Sequence, residues 1–206
     1  MSSDGAPLSS LTLGAYLDAL ADAVPVPGGG AVAGLTLAQA NALGAMVVGY
    51  AIGKPKFAPH DGVHRAAHAA FERGRRAAIE FADLDAKAYA RLNALWKLPK
   101  DDPRRADFQR AVREAIQAPE STVALARATL EQLGVLVGTT SASLASDLRI
   151  AIDLAEVAAR AAQENVRINL PSLSDETERA ATASRTEGLL ALGEAMAREL
   201  RTRMAS

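Results

Sequence analysis

The hydrophobic positions of this chain recur mostly at intervals of three and four residues, the period of an α-helix. Leu13, Tyr16, Leu17 and Leu20 begin the pattern near the N-terminus. Alternation with a period of two, which indicates β-strands, does not extend over a useful length. Prolines, glycines and capping residues separate the periodic segments. The pattern predicts seven helices, over residues 12–23, 31–52, 61–98, 104–117, 121–137, 146–170 and 175–203.

The second predicted helix differs from the others because residues 31–53 carry no charge. A helix that is apolar on all sides lies in the middle of a bundle or an oligomer. One amphipathic layer would not cover such a helix fully, so we predict a homodimer. Gln39 and Asn41 are then expected to have hydrogen-bond partners. A membrane span is the alternative, but the segment is rich in Ala and Gly rather than Leu and Ile, and we predict no membrane association.

A proline- and glycine-rich segment leads directly into this helix. Pro25 and Pro27 favour an extended entry, because each proline restricts its own φ angle and the residue before it. Gly28, Gly29 and Gly30 then allow a tight turn and a close approach of the backbone. The free N–H groups at the helix start favour an anion or a carbonyl oxygen at this place. The alternative is a packed turn before a core helix.

Composition narrows the class of protein. The 206 residues suffice for one domain with a substantial core, and we predict a single all-α helical bundle over residues 1–206, with a disordered tail at residues 1–10. The 23 basic and 24 acidic residues nearly cancel, so nucleic acid is not an expected partner. The lack of Cys excludes disulfides, thiolate nucleophiles and Cys-ligated zinc. The polar N-terminus lacks the features of a signal peptide, and the cytoplasm is the expected location.

The third predicted helix places a carboxylate on an apolar face. Asp85 shares this face with Phe81, Tyr89, Leu92 and Trp96, which lie three or four residues apart in succession. A carboxyl group in apolar surroundings has a raised pKa, which suits proton transfer near neutral pH. A buried structural carboxylate that is bonded to an Arg or Tyr partner is the alternative interpretation.

Two other polar clusters on this helix are interpreted as structural. Asp83 points nearly opposite to the apolar face and precedes Lys87 by four residues, the favourable spacing for an exposed ion pair. His60, His64 and His68 would form a ladder on one helical face, but no HExxH pattern accompanies them. We therefore predict no metal site.

Two amides on the sixth predicted helix lie one turn apart. Asn165 and Asn169 fall on a side of the helix that is rich in small residues. Two stacked amides suit the recognition of the donor and acceptor edge of a heterocycle. Equally, the pair could tie the end of the helix to neighbouring loops.

Together these residues belong to an ordered set of motifs that resembles the cyclodeaminase/cyclohydrolase family of folate enzymes. This family includes the C-terminal domain of formimidoyltransferase-cyclodeaminase and stand-alone methenyltetrahydrofolate cyclohydrolases. The motifs cover most of the chain and occur in the family's order with similar spacing. They are Pro25-Val26-Pro27-Gly28-Gly29-Gly30, Ile52-Gly53-Lys54 with Lys56-Phe57, Asp83-Leu84-Asp85-Ala86-Lys87-Ala88-Tyr89, Leu98-Pro99-Lys100, Ala118-Pro119, Ser146-Asp147-Leu148 and Asn165-Val166-Arg167-Ile168-Asn169-Leu170.

The resemblance implies an all-helical homodimer that binds folate in a groove between its subunits. It also implies that Asp85, the second Asp of the Asp-x-Asp motif, is the catalytic residue. Substrate-binding roles are carried over to the matching positions Gly28, Gly29, Gly30, Lys54, Lys56, Lys100, Ser146, Asp147, Asn165 and Asn169. The implied substrate is a tetrahydrofolate derivative, and neither reaction of the family needs a metal or nucleotide cofactor.

The leading hypothesis is therefore a formiminotetrahydrofolate cyclodeaminase that forms 5,10-methenyltetrahydrofolate and ammonia. A separate formimidoyltransferase is then the candidate partner that supplies the substrate. One alternative is a methenyltetrahydrofolate cyclohydrolase, which forms 10-formyltetrahydrofolate. The other is a non-catalytic, folate-binding helical dimer. Two departures from the family pattern favour this last alternative, namely Pro55 in place of the usual lysine and a loop at residues 138–143 that lacks the usual Gly-Asn.

Overall fold

The structure, a computed structural model, describes residues 7–205. Within them there are six α-helices and no β-strand, so the all-α prediction is confirmed. The α-helices are α1 (Leu13–Ala21), α2 (Gly29–Gly49), α3 (Asp61–Trp96), α4 (Phe108–Leu136), α5 (Ala145–Asn169) and α6 (Glu176–Ala205). Short 3-10 helices lie at Leu8–Ser10, Pro55–His60, Pro103–Asp107, Ala142–Leu144 and Leu170–Ser172.

The uncharged helix α2 lies at the centre of the bundle, in contact with α3, α4 and α5. Helix α3 runs antiparallel to α2, because Gly30 at the start of α2 faces Asp85 and Gly44 near its end faces Phe71. A Cβ atom on Gly44 would lie 2.8 Å from the Phe71 ring, so the two helices can approach this closely only at a glycine. The small residues of α2 therefore serve close helix packing, as the sequence indicates.

The apolar surface of α2 is covered largely by its own chain. Among residues 7–205, α2 is the one helix that is long and apolar enough to cross a membrane, and 61% of its apolar window is buried inside the bundle. The core helix of a helical bundle meets the same criteria of length and composition. The rest of this window is not covered within one chain, and the homodimer stays a prediction.

The two amides of α2 have different surroundings. Asn41 is buried, and its Nδ2 donates to the Leu37 carbonyl at 2.9 Å and to Thr129 Oγ1 at 3.1 Å. Gln39 is exposed, so it meets solvent rather than the buried partner that we expected. Only one of the two amides therefore contributes a buried polar contact between helices.

Helix α4 is continuous, whereas the sequence predicts two helices separated at Pro119. The proline lies inside the helix and is buried. Because proline has no N–H, the carbonyl of Ala115 lacks its usual helical donor. Asn169 Nδ2 on α5 donates to this carbonyl at 3.3 Å. A partner from another helix thus satisfies the carbonyl that Pro119 leaves free, and α4 continues through it.

The beginning of the chain packs on α3 through Asp83. Residues 1–6 of the predicted tail lie outside the described residues, but Leu8–Ser10 form a 3-10 helix. The Leu8 N–H donates to Asp83 Oδ1 at 2.6 Å. Across residues 7–205 no ion pair joins Asp83 to Lys87, so the interpretation of Asp83 as a solvated half of such a pair is wrong. The carboxylate instead accepts a hydrogen bond from the main chain and fixes the N-terminal segment.

Candidate active site

A cavity of about 260 Å³ opens at the end of the bundle where α2 begins. The N-terminal turn of α2, the last third of α3 and the C-terminal end of α5 form its walls. Its lining residues are Pro25, Val26, Gly28, Gly29, Gly30, Asp85, Tyr89, Trp96, Asn165, Ile168 and Asn169. The structure thus brings together Asp85, the three glycines and the two amides, which lie in three separate stretches of the sequence.

Asp85 supplies the carboxyl group among the residues that line this cavity. Its carboxyl group lies against Gly30, where a Cβ atom would come within 2.2 Å of the carboxyl atoms. Within residues 7–205 no hydrogen bond or ion pair engages this carboxyl, and burial raises its pKa from 3.8 to about 6. Such a group gains and loses a proton near neutral pH, as general acid–base catalysis requires.

The two amides line the cavity and donate hydrogen bonds to the backbone. Asn165 Nδ2 donates to the Ala161 carbonyl at 2.8 Å, and Asn169 Nδ2 donates to the Asn165 carbonyl at 2.9 Å. Asn165 also faces Gly29, where a Cβ atom would lie 3.6 Å from the amide. Asn165 therefore keeps one N–H and its oxygen for a ligand, whereas Asn169, which donates to two carbonyls, keeps only its oxygen.

The glycine turn forms the floor between Asp85 and Asn165. Gly28 precedes the helix with an extended backbone, and its carbonyl accepts the first helical hydrogen bond, from Val32 N–H at 3.1 Å. The N–H groups of the first helical turn therefore have no partner within the helix. An anion or a carbonyl oxygen at this position stays a prediction.

An aromatic wall completes the cavity. Trp96 is 38% exposed at the rim, and its ring stands edge-on to Tyr89 at 6.3 Å between centroids. Leu92, on the same predicted face, is fully buried in the core instead. Sequence reasoning missed Ile168, which is 71% exposed beside the cavity and carries no polar signal.

Four of the predicted substrate-binding residues lie at the opposite end of the bundle. Lys54 and Lys56 follow the end of α2, whose 21 residues span about 30 Å. Ser146 and Asp147 lie in the first turn of α5, about 28 Å along that helix from Asn165. None of these four side chains lines the cavity of its own chain, because straight helices separate them from it. The substrate-binding role of these four residues stays a prediction, and it needs a second subunit to bring them to this cavity.

Lys100 lies at the same end of the bundle as the cavity but outside its lining. It is exposed in the turn that follows Trp96 at the end of α3. A long, exposed lysine near the rim is placed to meet an anionic part of a ligand that extends out of the cavity.

His64 lies in the core rather than on an exposed helical face. His64 is fully buried, and its Nε2 lies 3.1 Å from Thr139 Oγ1. The Thr139 hydroxyl donates its own hydrogen to the Val135 carbonyl at 2.7 Å, so it accepts from His64. No group of three or more potential metal-ligating side chains occurs in the described part of the chain.

Comparison with known proteins points to one family. The sequence profile described as Formiminotransferase-cyclodeaminase matches residues 12–188. The chain is 27% identical to a formimidoyltransferase-cyclodeaminase of Gallus gallus and 32% identical to one of Sus scrofa, over 86% and 80% of this chain. It spans about a third of the length of these two relatives, 34% and 31%.

Two further relatives match along nearly their whole length. A methenyltetrahydrofolate cyclohydrolase of Methylorubrum extorquens is 28% identical, over 87% of this chain and 89% of that protein. The crystal structure of a formiminotetrahydrofolate cyclodeaminase from Thermotoga maritima superimposes with a TM-score of 0.90 at 26% identity, covering 96% of this chain and 98% of the other.

Proposed function

The chain belongs to the formiminotransferase-cyclodeaminase family, and from this premise we propose that it is a formiminotetrahydrofolate cyclodeaminase that uses Asp85 for proton transfer. The single observation that carries the proposal is the Asp85 carboxyl. It has no hydrogen-bond or ion-pair partner among residues 7–205, lies in a cavity with two amides and an aromatic wall, and has a pKa that burial raises to about 6. A structural carboxylate would be expected to have a hydrogen-bonded partner.

The reaction needs one group that moves protons between two nitrogen atoms. N10 of 5-formiminotetrahydrofolate attacks the formimino carbon, which gives a tetrahedral carbon between N5 and N10. The N10 proton must leave, and the former imino nitrogen, which enters as a protonated amidine, must gain one more proton before it departs as ammonia. A carboxyl group with a pKa near neutrality can accept the first proton and donate the second, so Asp85 alone can serve both steps. The remaining task of the protein is to hold N10 and the formimino carbon within reach.

A methenyltetrahydrofolate cyclohydrolase is the second candidate, because the Methylorubrum extorquens enzyme matches over 89% of its length at an identity similar to that of the cyclodeaminases. In that reaction water attacks the methenyl carbon, and the same carboxyl accepts a proton from the water before the ring opens to 10-formyltetrahydrofolate. Both reactions pass through a tetrahedral carbon between two nitrogens, so one cavity suits either.

The proposal includes a homodimer in which each cavity is completed by a second copy of the chain. Lys54 and Lys56 are exposed and about 30 Å along α2 from the cavity of their own chain, so they can reach a folate glutamate tail only from another subunit. The apolar side chains of Leu13 and Leu17 on α1 are 72% and 51% exposed, which leaves an apolar face for that contact.

Purified protein incubated with each substrate tests the assignment, with the absorbance of the methenyl chromophore and the release of ammonia as readouts. Appearance of the chromophore together with ammonia from 5-formiminotetrahydrofolate supports the cyclodeaminase. Accelerated loss of the chromophore from 5,10-methenyltetrahydrofolate indicates the cyclohydrolase instead. Binding without turnover of either substrate indicates a folate-binding protein, and absence of both binding and turnover overturns the proposal.

A further inference from the structure

Asn169 carries an unused acceptor in the candidate site. Its side chain is 96% buried, since its exposed fraction is 4%, and Oδ1 has no partner among the described residues. Its Nδ2 donates to two carbonyls, that of Asn165 at 2.9 Å and that of Ala115 at 3.3 Å. Turning the amide over would place Oδ1 against two carbonyl oxygens, so these contacts fix the orientation of the amide beside the cavity. A buried oxygen without a partner is unfavourable, and a ligand N–H would satisfy it.

Pro119 is the reason that the Ala115 carbonyl is available. In an uninterrupted helix this carbonyl would accept from the N–H of residue 119, but proline has no N–H and its ring crowds the carbonyl four residues earlier. Pro119 lies in the interior of α4 and outside the cavity, and it is buried. Its effect on the site is therefore transmitted through Ala115 and Asn169.

We propose that Pro119 is a positioning residue, which frees the Ala115 carbonyl to hold Asn169 so that its Oδ1 accepts a hydrogen bond from a ligand N–H. This inference rests on the proposed function for the identity of the ligand, a reduced pteridine, and it assigns Asn169 to the 2-amino and N3–H edge of that ring.

The order of contacts along the helices supports this assignment. Asp85 lies against Gly30 and Asn165 lies against Gly29, so both flank the start of α2. Asn169 is one turn further along α5, about 5–6 Å away. The 2-amino edge of a pteridine is separated from its reacting N5 by a comparable length. In the proposed pose, N5 lies at Asp85 and the amino edge of the ring points toward Asn169.

The first test concerns Asn169 in the protein without ligand. Hydrogen exchange of its side-chain amide, followed by NMR, should become about tenfold faster in Pro119→Ala, because the new N–H competes for the Ala115 carbonyl. The thermal midpoint should stay the same or rise, since a helix interior favours alanine over proline. Pro103→Ala is the matched control, because Pro103 is exposed at the first position of a 3-10 helix, where a missing N–H leaves no helical carbonyl free. Unchanged exchange in Pro119→Ala overturns the positioning role.

The second test measures the binding of 5-formyltetrahydrofolate through Trp96, the single tryptophan of the chain, which lies at the cavity rim. The Kd is expected to rise about five- to tenfold in Pro119→Ala and in Asn169→Ala, with no further rise in the double variant. The 2-desamino analogue should lose a similar factor with the wild type and lose nothing more with Asn169→Ala.

Each outcome of the second test decides one part of the inference. If exchange becomes faster but the Kd of every variant equals that of the wild type, Asn169 is not an acceptor for the ligand. Additive losses in the double variant would show that Pro119 acts on binding by another route. If exchange becomes faster and the wild type shows no saturable fluorescence change, the folate assignment fails while the role of Pro119 in holding Asn169 stands.

Discussion

Replacement of Asp85 by asparagine should stabilise the protein at neutral pH while it removes most of the turnover. The amide has nearly the same shape as the carboxyl group but carries no charge, and the Asp85 carboxyl is largely buried with no partner among residues 7–205. The substitution therefore removes the free-energy cost of burying an ionised carboxylate in the folded protein. It also loses the one carboxyl group among the described residues that line the cavity, so proton transfer at the reacting nitrogens loses its catalyst.

The size of the stability gain follows from the pKa of Asp85. A pKa of about 6 in the folded state against 3.8 in the unfolded chain corresponds to about 3 kcal/mol. The folded state binds more protons than the unfolded state between these values, so the wild type loses stability as the pH rises from about 4 to about 6. The gain in Asp85→Asn should thus be near its full size at pH 8 and should vanish below pH 4. Turnover should fall by about 10²–10⁴-fold.

Urea unfolding of both proteins from pH 4 to pH 8, at one fixed protein concentration, measures the gain, and kcat is measured at pH 7. Asp83→Asn is the control on the same helix, because Asp83 accepts a hydrogen bond from Leu8 at 2.6 Å and lies outside the cavity. This control should keep its turnover and gain no stability at pH 8. If Asp85→Asn is no more stable than the wild type at pH 8, the carboxyl is not buried as an ionised group. If it retains normal turnover, proton transfer belongs to another residue.

Three other positions allow independent tests of the site, the core and the assembly. Gly30→Ala should displace the Asp85 carboxyl, because the new Cβ atom would lie 2.2 Å from it, and kcat should fall about 10²-fold. Gly29→Ala, whose Cβ atom would lie 3.6 Å from its nearest neighbour, should retain most activity, and equal activities of the two variants would refute the contact. Burial lowers the pKa of His64 below 6.5, so the stabilising effect of the neutral ring is complete above pH 6.5 and is lost as the pH falls through the folded pKa. His64→Gln should therefore flatten the pH dependence of urea unfolding in this range, and an unchanged slope would contradict a buried neutral ring. Leu17→Glu should shift sedimentation from dimer to monomer at micromolar concentration, and a monomeric wild type would disprove the homodimer.

The sequence by itself determined the helical class and most helix boundaries. Helical periodicity, prolines and glycines act over a few residues, so the starts and ends of α1, α2, α3, α5 and α6 lie within a few residues of their predicted positions. The face of Asp85 was also predictable, because a helix fixes the angle between residues that are three or four apart.

The continuity of α4 depended on tertiary structure. The sequence around Pro119 predicts a break, because the proline removes one helical donor. The group that replaces this donor is Asn169, which lies 54 residues beyond Ala115. No local pattern connects two positions so far apart, and only the packing of α5 on α4 brings them together.

The tertiary structure also decided which motif residues share a site. The order of the motifs along the chain groups Asp85 with four other residues but gives no distances between them. These four residues are Lys54, Lys56, Ser146 and Asp147. Helices rise about 1.5 Å per residue and cannot bend back, so residues at opposite ends of α2 and α5 stay about 30 Å apart within one chain. The length of these helices is the physical reason that one chain holds Asp85, the glycines and the two amides together and keeps the lysines at its far end.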